Sequence, residues 1–311
     1  MAFPERVKIV EVGPRDGFQM ETAFIPTDLK VKVIDLVAEA GVSKVEATAF
    51  VSPEVIPQLR DSHEVMAGIR RRPGIRYTAL VPNLKGMERA LAAGVDGVRL
   101  VVCATETYNQ RNVGMSIAQS LEVCGQMLER AEPSGLPVEA VIAVAFGCPF
   151  EGEVSEDRVV TLARNFVDQG ITELSIADSV GLANPVRIRR LLSRLQEEIR
   201  DIELSLHLHD TRGLGLANVL SALELGIGAF DSSIGGLGGC PIMKGGTGNI
   251  STEDLVNMCH EMGIETGIDL DAIRRASQEM ERFLDRKLPS HVLAAGTREE
   301  LFARSAASAR S

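Results

Sequence analysis

The sequence predicts an α/β fold, a closed (β/α)8 TIM barrel with a C-terminal helical extension. Eight short apolar runs recur at intervals of roughly thirty residues, and a segment with helical periodicity follows each of them. Glycine stands between several of these helical segments and the next apolar run, as it does where a left-handed residue ends a helix. Eight strand–helix units in succession favour a closed barrel over an open sheet.

The strands and helix ends can be placed in chain order. Strands are expected at residues 7–12, 41–50, 76–81, 98–102, 138–145, 173–177, 203–207 and 229–233. Helices are expected to end at Gly41, Gly94, Gly170 and Gly226, because glycine tolerates the conformation that stops a helix. Helix starts are indicated by Ser116 and Ser251, which begin capping-box patterns, and by Asn184 before a proline.

The C-terminal part continues beyond the eighth unit. Helical patterns at 271–284 and 290–295 predict an extension over residues 266–298 that covers one end of the barrel. The last residues are small and polar, so we expect an unstructured tail over 299–311. The chain is therefore expected to form a single domain, 1–311, with the barrel over 1–265.

Composition excludes several classes of partner. The 311 residues are 45% hydrophobic and carry a net charge of −10, which argues against a general binder of nucleic acid or anionic membranes. The chain has neither a signal-peptide core at its start nor an apolar stretch of the ~20 residues that a membrane helix needs. Five scattered cysteines fit a reducing compartment better than a disulfide framework. We therefore expect a cytoplasmic protein.

The segment SLHLHD carries the clearest chemical signal. Because side chains alternate along a strand, His207 and His209 share one face, while Leu206 and Leu208 share the other. Two neighbouring neutral imidazoles can bind a metal ion. Two hydrogen-bonded core histidines are the alternative, but the strand spacing and the glycine-rich loop that follows favour a metal site.

Further polar residues follow other strands and therefore share the carboxyl rim of the barrel. Asp16 is a candidate ligand and base beside the histidines, and Arg15 a fixed cation for a developing negative charge; a surface ion pair is the alternative. The sequence favours Glu46 as a partner of Arg15 over a direct proton-transfer role. Cys240 lies on the glycine-rich loop and could deliver a thiol to substrate, or be a small buried hydrophobe. Asn249 offers an amide oxygen as a ligand, or caps the next helix.

These segments resemble the hydroxymethylglutaryl-CoA lyases, a family of metal-dependent barrel enzymes related to the isopropylmalate and homocitrate synthases. The resemblance runs from Val7 to about Lys287 and covers nearly the whole chain. It rests on the segments VKIVEVGPRDGFQ, VEATAFVSPEVIPQ, VPNLKG, GCPFEG, HLHDTRG, DSSIGGLGGCP, GGTGN and TEDLV. The GLGGCP element is typical of the lyase branch and not of the synthases.

The resemblance implies a divalent cation, Mg2+ or Mn2+, and cleavage of an acyl-CoA substrate into acetyl-CoA and a keto fragment. For hydroxymethylglutaryl-CoA that fragment is acetoacetate, and the pathway is leucine catabolism. It also implies a homodimer or higher homo-oligomer, and a basic pair, Arg286 and Lys287, for the CoA phosphates. The implied residues are Asp16, His207, His209 and Asn249 for the metal, Arg15, Asp16, Glu46, His207 and Cys240 for catalysis, and Arg15, Gln19 and Lys287 for substrate.

The chain departs from the family pattern at four positions. Val141 and Ala143 stand where many members have Tyr and Ser, Ala49 replaces a Ser, and Met20 replaces an Asn. These changes make the pocket less polar, so a more apolar branched 3-hydroxyacyl-CoA is a second candidate substrate. A Claisen-condensing synthase that uses acetyl-CoA and a 2-oxo acid is another alternative, and a barrel that only binds a ligand is the third.

Overall fold

The structure, a computed structural model, describes residues 3–239 and 247–308. Eight parallel strands form a closed barrel in sequence order, and β1 pairs with β8 through the register of Lys8 with Ala229 and Glu11 with Ser232. The fold class and all eight expected strands are confirmed. The strands are Lys8–Glu11 (β1), Lys44–Ala49 (β2), Arg76–Leu80 (β3), Gly97–Cys103 (β4), Val138–Ala143 (β5), Glu173–Asp178 (β6), Glu203–Leu208 (β7) and Ala229–Ser232 (β8).

Helices surround the barrel, and the predicted helix starts at Ser116, Asn184 and Ser251 are confirmed as N-caps. Ser116 and Gln119 form a reciprocal capping box, and the side chain of Asn184 accepts hydrogen bonds from two backbone N–H groups of the next helix. The glycines expected at helix ends have positive φ, from 65° at Gly94 to 96° at Gly41. The helices are Thr27–Glu39 (α1), Ser62–Gly68 (α2), Leu84–Ala92 (α3), Glu106–Val113 (α4), Ile117–Ala131 (α5), Glu156–Asp168 (α6), Pro185–Glu198 (α7), Gly215–Leu223 (α8), Thr252–Glu261 (α9), Leu270–Leu284 (α10), His291–Ala295 (α11) and Arg298–Ser308 (α12).

The two faces of the strands differ sharply in chemistry. Leu100, Ile142 and Leu206 belong to the continuous buried apolar core of the protein. Burying such a side chain contributes about 1.5–3 kcal/mol, so the apolar core stabilises the barrel. The lumen, in contrast, contains ionised side chains, among them Lys44 and Arg99, each paired with carboxylates. An ionic lumen is unusual because barrel interiors are mostly packed with branched aliphatic residues.

The C-terminal extension differs from the expectation in its position. Instead of covering one end of the barrel, α10 runs along its outside beside α1, where Glu279 pairs with Lys32. The reason is that α10 starts near the amino end, where the N–H of Asp269 donates to the carbonyl of Ala40. The second half of α10 and the segment after it reach the carboxyl rim, where Ser277 contacts Glu253 and Arg286 pairs with Glu21.

The expected tail also differs from the structure. Residues 298–308 form α12, and its Glu300 pairs with Arg274 of α10 and accepts a hydrogen bond from the N–H of Thr297. These contacts let a short polar segment adopt a helix that its composition alone does not indicate. Within the described residues, no helix is both long and apolar enough to cross a bilayer.

Candidate active site at the carboxyl rim

A wide helical turn, Gly13–Gly17, follows β1 and positions the first two site residues. The turn needs glycine at both ends, since a Cβ at Gly13 would lie 2.5 Å from Oε1 of Glu11 and one at Gly17 would lie 2.9 Å from Cβ of Leu237. It buries Asp16 and Arg15 at the mouth of the barrel, so the ion pair considered from the sequence does form, but it is buried and not at the surface.

The two histidines share one face, as their spacing predicts. Nε2 of His207 lies 3.1 Å from Nε2 of His209, and each of these nitrogens lies 4.0 Å from Oδ2 of Asp16. On the other side of its ring, Nδ1 of His207 lies 3.1 Å from Oδ2 of Asp231. A carboxylate at Nδ1 accepts a hydrogen bond from Nδ1–H and leaves the Nε2 lone pair directed at Asp16 and His209.

Asn249 completes the cluster from the segment after β8. It forms an isolated bridge with His209, and its Nδ2 donates to Oδ2 of Asp16 at 2.8 Å and to the carbonyl of Leu237 at 3.1 Å. The helix-cap alternative is wrong because Ser251 caps α9. In the described part of the chain, the buried amide oxygen of Asn249 has no hydrogen-bond partner.

The ionisation of the cluster follows from burial and from neighbouring charges. Burial alone would raise the pKa of Asp16, but the Arg15 guanidinium and the two histidines lower it to about 2. Burial lowers the pKa of His209 to about 3, and the neighbouring His207 acts in the same direction. At neutral pH, Asp16 is therefore a carboxylate and His209 a neutral imidazole, which are the forms that bind a metal ion.

These residues fit a divalent cation. One ligand atom from each of Asp16, His207 and His209 lies within 4.8 Å of the other two, and all three residues are buried. The unpartnered oxygen of Asn249 is a further acceptor beside Asp16. A mixed set of imidazole nitrogen and carboxylate or amide oxygen suits an octahedral ion with open positions better than a closed tetrahedral site.

Arg15 is held between two carboxylates. Its Nη1 lies 2.5 Å from Oδ1 of Asp16, and its Nη2 lies 2.9 Å from Oε2 of Glu46, as expected of a partner residue. Among the described residues, Nε of Arg15 and Oε1 of Glu46 are buried without a partner. Buried unpartnered polar atoms usually have a ligand or water as their missing partner, so this side of the site is suited to a polar substrate group.

The remaining candidates lie in different places. Nε2 of Gln19 donates to Oδ1 of Asp16 at 2.9 Å, which puts Gln19 beside the cluster. Lys287 lies at the surface with its side chain 91% exposed and its Nζ 3.0 Å from Oε2 of Glu281. Cys240 lies outside the described residues.

Two buried residues at the site were not found from the sequence. Asp231 contacts His207, and Arg99 contacts both Asp231 and Glu46. A signal exists for each, because Arg99 interrupts the apolar strand GVRLVVC and Asp231 interrupts AFDS. A buried charge in such a strand needs a partner, but the sequence does not indicate which one.

Comparison with known proteins relates this site to one family. The family model described as HMGL-like matches residues 6–280. The mitochondrial hydroxymethylglutaryl-CoA lyase of Gallus gallus is 40% identical over 297 residues, which cover 96% of this chain and 100% of the relative. The cytoplasmic 3-hydroxy-3-methylglutaryl-CoA lyase of Rattus norvegicus is 40% identical over 298 residues, covering 96% of this chain and 87% of the relative.

The fold comparison gives the same family. The structure of an HMG-CoA lyase from Acinetobacter baumannii, in complex with coenzyme A and 3-methylmalate, matches with a TM-score of 0.91 and 44% identity. The match covers 96% of this chain and 97% of that one. Sequence and fold therefore agree over nearly the same residues.

Proposed function

Because this chain belongs to the HMGL-like family, we propose that it is a carbon–carbon lyase that cleaves 3-hydroxy-3-methylglutaryl-CoA into acetyl-CoA and acetoacetate. The observation that carries this proposal is the buried cluster of Asp16, His207 and His209 next to the Arg15 guanidinium. A metal site beside a fixed cation is what the cleavage of a 3-hydroxyacyl thioester requires, since the C3 hydroxyl must lose its proton and the developing enolate must be stabilised.

We propose that Asp16, His207, His209 and Asn249 hold a divalent cation, Mg2+ or Mn2+. When bound, the cation supplies Lewis acidity that lowers the pKa of the substrate C3 hydroxyl. The low pKa of Asp16 supports its role as a ligand, because at neutral pH protons do not compete with the metal for the ionised carboxylate.

The chain's own residues then act on the substrate. Asp16 accepts the C3 hydroxyl proton, the C2–C3 bond breaks, and the electron pair of that bond passes into the thioester as an enolate. Arg15 stabilises the enolate oxygen, and Glu46 fixes the direction of the Arg15 guanidinium. The Cys240 thiol donates a proton to the enolate carbon, which gives acetyl-CoA. His207 acts as a ligand, and Gln19 orients the Asp16 carboxylate and contacts substrate.

The CoA portion is proposed to bind where the chain after α10 returns to the carboxyl rim. Arg286 and Lys287 lie in this segment, and Lys287 is free to reach into solvent, since its side chain is 91% exposed. Its pairing with Glu281 is an exposed ion pair of the kind that contributes about 0–1 kcal/mol, so a phosphate could replace Glu281 readily.

Loss of activity in single-site variants tests the lyase proposal. Incubation of the protein with 3-hydroxy-3-methylglutaryl-CoA and Mn2+ should release acetyl-CoA, and EDTA should stop it. His207→Ala and Asp16→Asn should each lower kcat by a factor on the order of 10³ or more. His260→Ala is the matched control, because His260 lies on α9 and its ring forms a hydrogen bond with Thr266 and not with a residue of the cluster. Undiminished activity of either site variant would contradict the proposal.

A more apolar branched 3-hydroxyacyl-CoA is the second candidate substrate, supported by the chemistry of β4 and β5. Val101 pairs in register with Val141, and two positions along β5 lies Ala143. All three residues retain some exposure, whereas Leu100 and Ile142 beside them have none. This apolar wall supports a hydrocarbon substituent on the substrate. A panel of 3-hydroxyacyl-CoA thioesters, with products identified by mass spectrometry, ranks the two candidates by kcat/KM.

A separate assay with acetyl-CoA and a panel of 2-oxo acids addresses the synthase alternative. A condensing enzyme would release free CoA from acetyl-CoA in the presence of a 2-oxo acid, and the proposed lyase would not. We also propose a cytoplasmic homo-oligomer with a role in leucine catabolism; the cytoplasmic relative from rat supports the location. Light scattering coupled to gel filtration measures the oligomeric state.

A further inference from the structure

We infer that Arg99 is a positioning residue that aligns the metal-binding His207 and the substrate-facing Arg15 through the two carboxylates it holds. This inference rests on the proposed function, because it assigns Arg99 a role at the proposed metal site. Arg99 itself contacts none of the proposed metal ligands in the described structure; its partners are carboxylates.

The first observation is the ion pair between Arg99 and Asp231. Nη1 of Arg99 lies 2.6 Å from Oδ2 of Asp231, and Nη2 lies 3.1 Å from Oδ1, so the two side chains form a bidentate pair. In the closed barrel of eight strands, β4 and β8 lie opposite each other, so Arg99 spans the lumen to reach Asp231. The same Oδ2 of Asp231 lies 3.1 Å from Nδ1 of His207.

The second observation is the contact with Glu46. Nη1 of Arg99 also lies 3.3 Å from Oε2 of Glu46, and that oxygen accepts the 2.9 Å hydrogen bond from Nη2 of Arg15. The Arg99 guanidinium therefore connects Asp231, which contacts His207, with Glu46, which contacts Arg15. Because a guanidinium is planar and rigid, it fixes the positions of the two carboxylates relative to each other.

Burial gives these contacts their strength. The side chain of Arg99 is 2% exposed, and those of Asp231 and Glu46 are fully buried. Buried charges that lose a partner are strongly disfavoured, so the arrangement has few alternatives of similar energy. Partners of this kind behind a metal-binding histidine typically change metal affinity by about 10–100-fold when they are removed.

The lumen also provides a matched control. Glu139 lies in register with Arg99 and accepts from its Nη2 at 2.8 Å, and the same carboxylate accepts from Nζ of Lys44 at 2.5 Å. Lys44 otherwise pairs with Glu173. Lys44 is thus a second buried cation of the same lumen, with no contact to Asp231 or Glu46 among the described residues.

Two charge-balanced double variants test the inference. Arg99→Met with Glu139→Gln removes one cation and one carboxylate, and so does Lys44→Met with Glu173→Gln. For the first, we expect Mn2+ binding to the substrate-free protein, measured by electron paramagnetic resonance, to weaken about 10–100-fold. We expect kcat at saturating Mn2+ to fall on the order of 10²-fold with little change in KM, because Arg15 and His207 are displaced. The control should retain both quantities within a few-fold of the wild type.

Several outcomes decide the matter. If the Arg99 variant binds Mn2+ and turns over like the wild type, or if the Lys44 variant loses as much as the Arg99 variant, Arg99 is structural and the inference is overturned. If the Arg99 double variant does not fold, Arg99→Lys replaces it, because lysine keeps the charge but lacks the planar guanidinium that forms the bidentate pair. Weaker Mn2+ binding by Arg99→Lys then supports the inference, and unchanged binding overturns it. A wild-type protein that neither binds Mn2+ nor cleaves the thioester would instead contradict the proposed function.

Discussion

Nε2 of His207 and Nε2 of His209 face each other at 3.1 Å in a buried pocket. Because Asp231 accepts a hydrogen bond from Nδ1–H of His207, Nε2 of His207 is an acceptor, and Nε2–H of His209 donates to it. That assignment leaves Nδ1 of His209 as a buried acceptor without a partner in the described chain. A cation bound beside the two Nε2 atoms would take a lone pair from each ring, so the pair is suited to bind one.

Metal addition is expected to stabilise the protein. Anything that binds only the folded state adds about 2.7 kcal/mol to the free energy of unfolding at a concentration one hundred times its Kd. Mn2+ should therefore raise the Tm of protein that has been freed of metal with EDTA, as measured by circular dichroism. His207→Ala should lack this shift and His260→Ala should keep it; an equal shift in both would place the ion elsewhere.

Asp231→Asn is expected to weaken metal binding and stability together. The amide no longer compels the Nδ1–H form of His207, so the Mn2+ Kd should rise about 10–100-fold. The change also removes the charge of one of the three carboxylates that Arg99 contacts, which is expected to lower the free energy of unfolding by about 1.5–3 kcal/mol.

A matched control separates the two effects of Asp231→Asn. Asp61→Asn breaks another buried ion pair, which Asp61 forms with Lys30. Lys30 belongs to α1, on the outside of the barrel. It should destabilise the protein while the Mn2+ Kd stays at the wild-type value. Isothermal titration calorimetry and urea unfolding of both variants give the comparison; equal metal affinities would show that Asp231 does not support the site.

Gly238→Ala is expected to disturb Asn249. Gly238 has a φ of 114°, and a Cβ there would lie 2.5 Å from Nδ2 of Asn249 and 3.4 Å from Oδ2 of Asp16. Gly226→Ala is the control, since Gly226 has a φ of 80° but no atom within 4 Å of the added Cβ. Backbone strain should lower stability by about 1–2 kcal/mol in both variants. Only Gly238→Ala should also weaken Mn2+ binding, as measured by calorimetry.

Glu11→Gln is expected to flatten the pH dependence of stability. Burial raises the pKa of Glu11 to about 8, so the folded state binds more protons here than the unfolded state between about pH 4.5 and pH 8. The contribution of Glu11 to the free energy of unfolding is thus fully present below about pH 4.5 and is lost as the pH rises through about 8. Over this range the free energy of unfolding falls by at most about 1.4 kcal/mol per pH unit.

Glutamine matches the protonated acid at this position. Oε1 of Glu11 accepts from the N–H groups of Gly13 and Ile234, while Oε2 lies 2.6 Å from the hydroxyl of Thr252. Urea unfolding in EDTA from pH 5 to pH 9 should show a smaller decline for Glu11→Gln than for the wild type. Glu54→Gln, at an exposed position, should follow the wild type. Parallel curves for wild type and Glu11→Gln would refute the assignment.

Much of the site followed from sequence periodicity. The strand spacing of His207 and His209 placed both rings on one face, and the succession of strand–helix units put Asp16 at the same rim. These inferences held because alternation along a strand and the polarity of parallel strands are local properties of the backbone. The assignment of the polar residues to metal, catalysis and substrate stays a prediction, as does the single-domain boundary.

The sequence by itself determined the barrel, because eight apolar runs, their helices and the glycines between them depend only on neighbouring residues. The tertiary structure decided what no local pattern encodes: that Asn249 meets Asp16 from 233 residues away, that Arg99 crosses the lumen to Asp231, and that α10 lies along α1. A charged residue in an apolar strand indicates that a partner is needed. Only the closure of the barrel selects that partner, because closure brings distant strands face to face.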